Sequence, residues 1–276
     1  MTGASGYLGQ ALVRRAVAGG WDVTGTRLTR PAPGAGTLLD VRDAEAVDAL
    51  VAAASPDAVI HTAYRQHGPE AAAITVDGAA HVAAGAARAG ARLVHLSTDV
   101  VFGGRGDRAR REEDPVDPVT DYGRAKARAE AVVAAACPGA LVVRTSLLYA
   151  GPPGPASPHE ELALAAARGE RAATFFSDEL RCPVQVGDLA GALLELAQTD
   201  VAGVLHVAGA DVVDRHAFAV LVARAWGVPA GALVAGPAPP DRPRACALDS
   251  GRARALLATR LRGVHEVLGT GSGVPT

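Results

Sequence analysis

The glycines at positions 3, 6 and 9 constrain this chain more than any other feature of it. They open directly into a helical pattern that runs from Gln10 to Ala18. A loop of this kind uses glycine for a tight turn, for close approach of a pyrophosphate and for helix packing, and the helix amino terminus then faces the phosphates. Short apolar runs and helical patterns alternate after it. Strands are expected at 21–26, 36–40, 58–64, 91–96, 140–146 and 203–208, with a long alanine-rich helix over roughly 69–89. That alternation predicts an α/β fold with a parallel, doubly wound sheet.

The loop should follow a strand, yet the sequence begins at the loop, so the first strand is missing. Two central strands left unpaired would expose backbone groups on both sides. The expectation is that the natural chain starts several residues upstream of Met1.

With 276 residues, 49% hydrophobic and 20% charged, the chain can build one large domain or a dinucleotide-binding domain with a cap. Residues 1–150 read as an NADP-binding domain, completed by about 181–210. The Gly/Pro-rich break at 151–158 starts a smaller substrate-binding lobe made of 151–180 and 211–268, and 269–276 reads as a disordered tail. A net charge of −2 with scattered arginines argues against nucleic-acid or membrane partners. There is no signal peptide and no apolar run of membrane-spanning length. Cys137, Cys182 and Cys246 are odd in number and far apart, which suits idle thiols in a reducing cytoplasm. No metal site is expected, because His61 has no partner at ligand spacing.

Ser97, Thr98 and Asp99 lie at the carboxyl end of the 91–96 run, where open α/β sheets place reacting groups. Tyr122 opens the next helix, and Lys126, four residues on, shares its face. An ammonium beside a phenol lowers the tyrosine pKa and makes it a usable proton donor or acceptor. The segment 100–118 is too long for a plain connection and is expected to cover a site. At the end of the 21–26 run Arg27, helped by Arg30, favours the 2′-phosphate of NADP over NAD, since Asp22 lies at the wrong end of that strand. Asp40 and Val41 would sit beside the adenine. Thr62, Ala63 and Tyr64 would run past the pyrophosphate and the nicotinamide ribose.

With these residues laid out, the chain resembles the extended short-chain dehydrogenase/reductases, and within them the dTDP-4-dehydrorhamnose reductase group. The likeness rests on Thr-Gly-Ala-Ser-Gly-Tyr-Leu-Gly at 2–9, Leu-Ser-Thr-Asp-Val-Val-Phe at 96–102 and Tyr-Gly-Arg-Ala-Lys at 122–126. It is extended by Arg-Thr-Ser at 144–146 and by Arg-Pro-Arg with Leu-Asp-Ser across 242–250, so it covers nearly the whole length. The resemblance implies a Rossmann fold that holds NADPH through Gly3, Ser5, Gly6, Tyr7, Leu8 and Gly9, with Leu96, Tyr122 and Lys126 on the nicotinamide side. It implies that Thr98 holds the substrate carbonyl, that Tyr122 protonates it, and that Lys126 binds the ribose and depresses the tyrosine pKa. It implies a nucleotide-sugar substrate touched by Thr98, Asp99, Val100 and Leu147, and it leaves room for a homodimer.

Two positions depart from the group's pattern. Its members carry an aromatic residue where this chain has Val100, and a tryptophan where it has Leu147. Ketone reduction is therefore the firmer implication, on a 4-keto-6-deoxy nucleotide sugar or another ketone. Val100, in place of the glutamate of the related dehydratases, argues against dehydration. A nucleotide-sugar epimerase and a non-catalytic NADP-binding regulatory subunit stay open as alternatives.

Overall fold

Helix α1 (Tyr7–Ala18) begins at the glycine loop and buries Leu8, Leu12 and Ala16 against the sheet. The computed structural model that shows this describes residues 1–34, 36–106 and 108–269. After α1, the parallel pair β1 (Thr26–Arg27) and β2 (Thr37–Leu38) leads to α2 (Ala44–Ala54) and β3 (Ala58–His61). The Asp43 carboxylate caps α2 by accepting the Ala46 N–H at 3.0 Å. The expected helix over 69–89 divides into a π-helical turn at Ala73–Asp77 and α3 (Gly78–Arg88). Then come β4 (Arg92–Thr98), α4 (Asp121–Ala136) and β5 (Leu141–Thr145), within a residue or two of the runs at 91–96 and 140–146.

The chain continues through β6 (Leu148–Tyr149), α5 (Pro158–Ala167), β7 (Thr174–Phe176), β8 (Leu180–Arg181) and β9 (Val184–Gln185). It returns to the main sheet with α6 (Val186–Leu196) and β10 (Gly203–His206). The remaining elements are β11 (Val213–Asp214), α7 (Arg215–Ala225), β12 (Val234–Gly236), α8 (Gly251–Leu256) and α9 (Val264–Leu268).

Strands β10, β5, β4 and β3 form a parallel ladder in that order. Alternation along β4 sends Val94 and Leu96 into one core with α1 and α6, and Leu93 into a second core under α3 and α4. Both faces of the sheet are therefore covered, as a doubly wound parallel sheet requires. A third core joins Tyr149, Leu164, Phe175, Phe218 and Val222 around α5 and α7. The fully buried Glu160 carboxylate holds the 150–157 break in place by accepting the N–H groups of Ala150, Gly151 and Ser157.

The missing first strand is missing only in part. Residues 1–4 occupy its carboxyl end, between β3 and β1. Thr2 N–H donates to Ile60 O at 3.1 Å and Thr62 N–H to Thr2 O at 3.2 Å, while Thr26 N–H donates to Met1 O at 2.9 Å. Farther back the slot is open: a cavity of about 220 Å³ lies between Trp21–Thr24 and Ala58–Ile60. This corrects the expectation of a strand over 21–26. Only Thr26–Arg27 forms a ladder, because the stub of residues 1–4 reaches no farther. The expected disorder at the carboxyl end falls mostly on residues 270–276, outside the described residues. Among the described residues no helix is long and apolar enough to cross a membrane.

Candidate active site

A cavity of about 590 Å³ opens at the carboxyl ends of the strands, where a doubly wound sheet places its ligands. Gly3, Gly6, Tyr7, Leu8 and Gly9 form one end of it. Gly3 has φ +74°, and a Cβ there would lie 2.8 Å from both Ala63 N and Thr62 Oγ1. A Cβ at Gly9 would collide with the Gly3 carbonyl. The amino terminus of α1 has no side-chain cap and no acidic residue in its first turn, so its N–H groups stay available to an anion. These residues fit the pyrophosphate of a dinucleotide.

Thr62, Tyr64, Leu96, Thr98 and Asp99 line the middle of the cavity, together with Val100, Tyr122, Lys126 and Leu147. Ser5, Arg27, Asp40, Val41 and Ala63 lie outside its lining. Ala63 offers only its backbone, against Gly3. Val41 is a core residue, 6% exposed, and Asp40 is held by Arg42, whose Nε lies 2.9 Å from Asp40 Oδ1. Arg42 also pairs with Glu70. Among the described residues Arg27 pairs with no carboxylate; its Nη1 donates to Thr29 O at 3.3 Å.

Thr98 stands at the last position of β4, and Tyr122 in the first turn of α4, where Thr120 Oγ1 accepts the Gly123 N–H at 3.1 Å and fixes the helix start. Lys126, one turn on and 2% exposed, donates from Nζ to Leu96 O at 2.8 Å, with Nζ 5.1 Å from the Tyr64 ring centroid. The depression of the Tyr122 pKa by Lys126 does not appear in this arrangement. Burial pushes the phenol well above its usual range, Tyr64 and Asp99 push it further, and only the hydrogen bond with Thr98 opposes them. The phenol therefore stays protonated at neutral pH and is set up as a donor.

Burial lowers Lys126 itself to about 8, and the Glu130 carboxylate resists that fall. Lys126 is charged below pH 8 and loses its charge as the pH rises through that value. If its ammonium supports the tyrosine, kcat/KM falls on the alkaline side with an apparent pKa near 8. Glu130→Gln removes the opposing charge while keeping an acceptor for Ser97, and it moves that alkaline limb to lower pH. A pH profile of both proteins measures this, and an unmoved limb would assign it to another group.

Asp99 is buried beside Thr98, accepts the Ser146 hydroxyl at 2.6 Å, and has Arg181 Nε 3.6 Å away. Burial raises its carboxyl pKa, opposed by Arg181. The segment 100–118, expected to cover a site, is stitched to the chain at 245–247. Ala245 N–H donates to Gly104 O at 3.1 Å, and Arg110 N–H to Ala247 O at 2.7 Å.

The far end of the cavity holds residues to which the sequence motifs assigned no role. Arg181 is 2% exposed and donates to Glu179 at 2.6 Å and to three backbone carbonyls. Arg242 also donates to Glu179, at 2.8 Å, and lies over the Phe176 ring at 5.3 Å. Among the described residues Arg215, at the start of α7, donates only a 3.4 Å hydrogen bond, to His159 Nδ1, and burial pulls its pKa down to about 10. Among the described lining residues, four cations (Lys126, Arg181, Arg215, Arg242) face two carboxylates (Asp99, Glu179). That excess suits a doubly charged anion such as a diphosphate. Phe175 and Phe176, on β7, line the same cavity as the aliphatic Val100 and Leu147. The sequence signal for this end was Arg-Pro-Arg at 242–244, and nothing local says which other arginines converge with it.

Comparison with known proteins agrees with this geometry. Residues 1–270 match the model of the RmlD substrate binding domain. The dTDP-4-dehydrorhamnose reductase of Mycolicibacterium smegmatis is 34% identical over 282 residues, covering 97% of this chain and 83% of that protein. The bovine methionine adenosyltransferase 2 subunit beta is 28% identical, covering 93% of this chain and 81% of its own length. A crystal structure of a hypothetical dTDP-4-dehydrorhamnose reductase from Sulfolobus tokodaii superposes with a TM-score of 0.82 at 26% identity, with 95% of each chain covered.

Proposed function

The chain belongs to the RmlD substrate binding domain family, and from that premise we propose that it is an NADPH-dependent reductase of a nucleotide-linked sugar ketone, with a dTDP-4-keto-6-deoxy sugar the leading substrate. One observation carries the reading: a single cavity joins the glycine cradle, the Thr98–Tyr122–Lys126 group and three arginines, Arg181, Arg215 and Arg242. In the same reading, residues 1–150 with 181–210 hold the cofactor, and 151–180 with 211–268 hold the sugar nucleotide. The protein works in the cytoplasm, as its three buried free thiols suit, and a homodimer is decided by sedimentation.

The Gly3–Gly9 loop and the amino terminus of α1 hold the pyrophosphate, and Arg27 takes the 2′-phosphate that distinguishes NADP. When bound, the reduced cofactor supplies hydride to the carbonyl carbon. Thr98 donates a hydrogen bond to the carbonyl oxygen, and Tyr122 gives that oxygen its proton as charge develops there. Lys126 holds the ribose on the nicotinamide side of the bound cofactor. Arg215 and Arg242 grip the diphosphate, and Phe176 presents a ring face to the bound nucleotide.

Two measurements test this. NADPH absorbance is followed with dTDP-4-keto-6-deoxy sugars as substrates. Consumption of NADPH supports the reading, and bound NADPH that is never consumed favours the second one, a non-catalytic NADP-binding regulatory subunit. Arg215→Ala is expected to raise KM for the sugar nucleotide by about 10–100-fold, the loss of one charge-assisted contact, while NADPH affinity holds. An unchanged KM would remove Arg215 from the anion site.

A further inference from the structure

Asp99 has no part in the reaction steps above, yet it touches the residue that holds the carbonyl. It follows β4 directly, is 4% exposed, and lines the cavity. Thr98 Oγ1 and Asp99 Oδ1 lie 3.2 Å apart. On the other side of the carboxyl, Oδ2 accepts the Ser146 hydroxyl at 2.6 Å. Ser146 Oγ in turn accepts the Cys182 N–H at 3.2 Å, which leaves its own proton for Asp99.

A threonine hydroxyl has one proton to give and two lone pairs to receive with. Thr98 Oγ1 receives the Val100 N–H at 3.4 Å. When Thr98 holds the substrate carbonyl, its proton points at that oxygen, and the contact with Asp99 can run only from Asp99 to Thr98. An ionised Asp99 has no proton to give. It is also a stronger acceptor than a ketone oxygen, so it would take the Thr98 proton and leave the carbonyl to Tyr122 alone.

We propose that Asp99 is a neutral acid in the reacting complex, giving its O–H to Thr98 Oγ1 so that the one proton of Thr98 goes to the substrate carbonyl. This role rests on the reductase reading, and Asp99 is a positioning residue that acts through Thr98. Its proton comes from solvent before the site fills and stays on the carboxyl throughout. The balance of the reaction is unchanged: hydride comes from the cofactor and the proton from Tyr122.

The surroundings favour the neutral form. Burial raises the Asp99 carboxyl pKa, and Arg181 opposes it. Arg181 Nε lies 3.6 Å from Oδ2, beyond hydrogen-bond range, and both Nη atoms are given to Glu179 and to the carbonyls of Leu180, Pro243 and Arg244. Glu179 therefore answers the Arg181 charge. Cys182 and Cys246 stay thiols, pushed by burial to about 11 and about 12, and Tyr122 keeps its proton. Arg215 is the other cation whose charge reaches Asp99, and in the reading above it grips the diphosphate. The charge of that diphosphate adds to burial and favours the neutral acid. A neutral Asp99 also places no like charge beside the oxyanion and the tyrosinate that form in the reaction.

Infrared spectra of protein labelled with ¹³C-aspartate test the protonation directly. The protein is loaded at neutral pH with NADPH and dTDP, which carries the diphosphate but no ketone. A protonated carboxyl absorbs above the amide band and moves with the label, whereas an aspartate carboxylate does not absorb there. The expected result is such a band in the parent and none in Asp99→Asn. A loaded parent without the band overturns the proposal. Kinetics supply a second readout. Asp99→Leu removes the donor to Thr98 and is expected to lower kcat by about tenfold, the worth of one hydrogen bond, with KM within about twofold of the parent. Asp99→Asn has an amide N–H for Thr98 and a carbonyl for Ser146, so it is expected to recover most of that loss. An Asp99→Asn protein as slow as Asp99→Leu overturns the role, and if Asp99→Leu does not fold the infrared band decides. A parent protein that consumes no NADPH sinks the reductase reading, while the band still shows whether Asp99 carries a proton.

Discussion

Tyr122→Phe is expected to fold and bind NADPH as the parent does and to lose about 10²–10⁴-fold in kcat, the usual contribution of a positioned general acid. Phenylalanine keeps the ring, and with it the 5.6 Å contact with Tyr64, so the packing at the start of α4 should survive. What disappears is the proton donor. The surroundings of Tyr122 give this prediction its direction. Burial, Tyr64 and Asp99 all disfavour the phenolate, so the resting tyrosine carries its proton throughout the neutral range. A donor of that kind suits reduction, in which an oxygen gains charge and needs a proton, better than oxidation, in which the tyrosine must start ionised. Steady-state kinetics with a calorimetric check of NADPH binding measures the effect. Turnover retained in Tyr122→Phe would remove Tyr122 from the chemistry; loss of NADPH binding would place it in the cofactor site alone.

The second large effect concerns the open slot in the sheet. Trp21–Thr24 on one side and Ala58–Ile60 on the other face each other across about 220 Å³ without a strand between them. Adding six alternating Val and Ile residues before Met1 should fill this slot as a strand parallel to β3 and continuous with residues 1–4. Three inward side chains at about 2 kcal/mol each and six ladder hydrogen bonds at about 1 kcal/mol each exceed an ordering cost of roughly 9 kcal/mol by about 3 kcal/mol. For a chain of this size that corresponds to a rise in Tm of about 5 °C. A Gly/Ser extension of equal length should leave Tm unchanged, since it adds neither apolar burial nor strand preference. NADPH affinity should rise with the apolar extension, because the Gly3–Gly9 loop would then hang from a full strand. Equal shifts from both extensions would show that the slot does not take a strand.

The core of the fold was legible in local pattern. The runs at 91–96 and 140–146 became β4 and β5 because an apolar stretch of that length, bounded by turns, has little alternative to a buried parallel strand. The glycine loop was legible for the same kind of reason: Gly3 and Gly9 are required by backbone contacts a few residues away or across one strand. Thr98, Tyr122 and Lys126 were placed by the end of one strand and one turn of one helix. The strand over 21–26 failed, because a ladder needs a neighbour and the neighbour is only four residues long. The depressed tyrosine pKa failed as well. Helical spacing sets where Lys126 starts, but burial and the Leu96 carbonyl decide where its charge goes.

The sequence by itself determined the class of sheet, the glycine loop and the placing of Thr98, Tyr122 and Lys126 beside one cavity, because each follows from contacts short enough to leave a spacing in the chain. Tertiary structure alone decided the other half of the site. The pair Glu179 and Arg181, Arg215 and Arg242 come from three separate segments with no common period, and they meet only because the third core packs α5 against α7 and seats β7 beside the cavity. The same holds for His61 and His95, which lie thirty-four positions apart and become a stacked pair only through the register of β3 on β4. Long-range packing assigns charges and protons to places that no local pattern can specify.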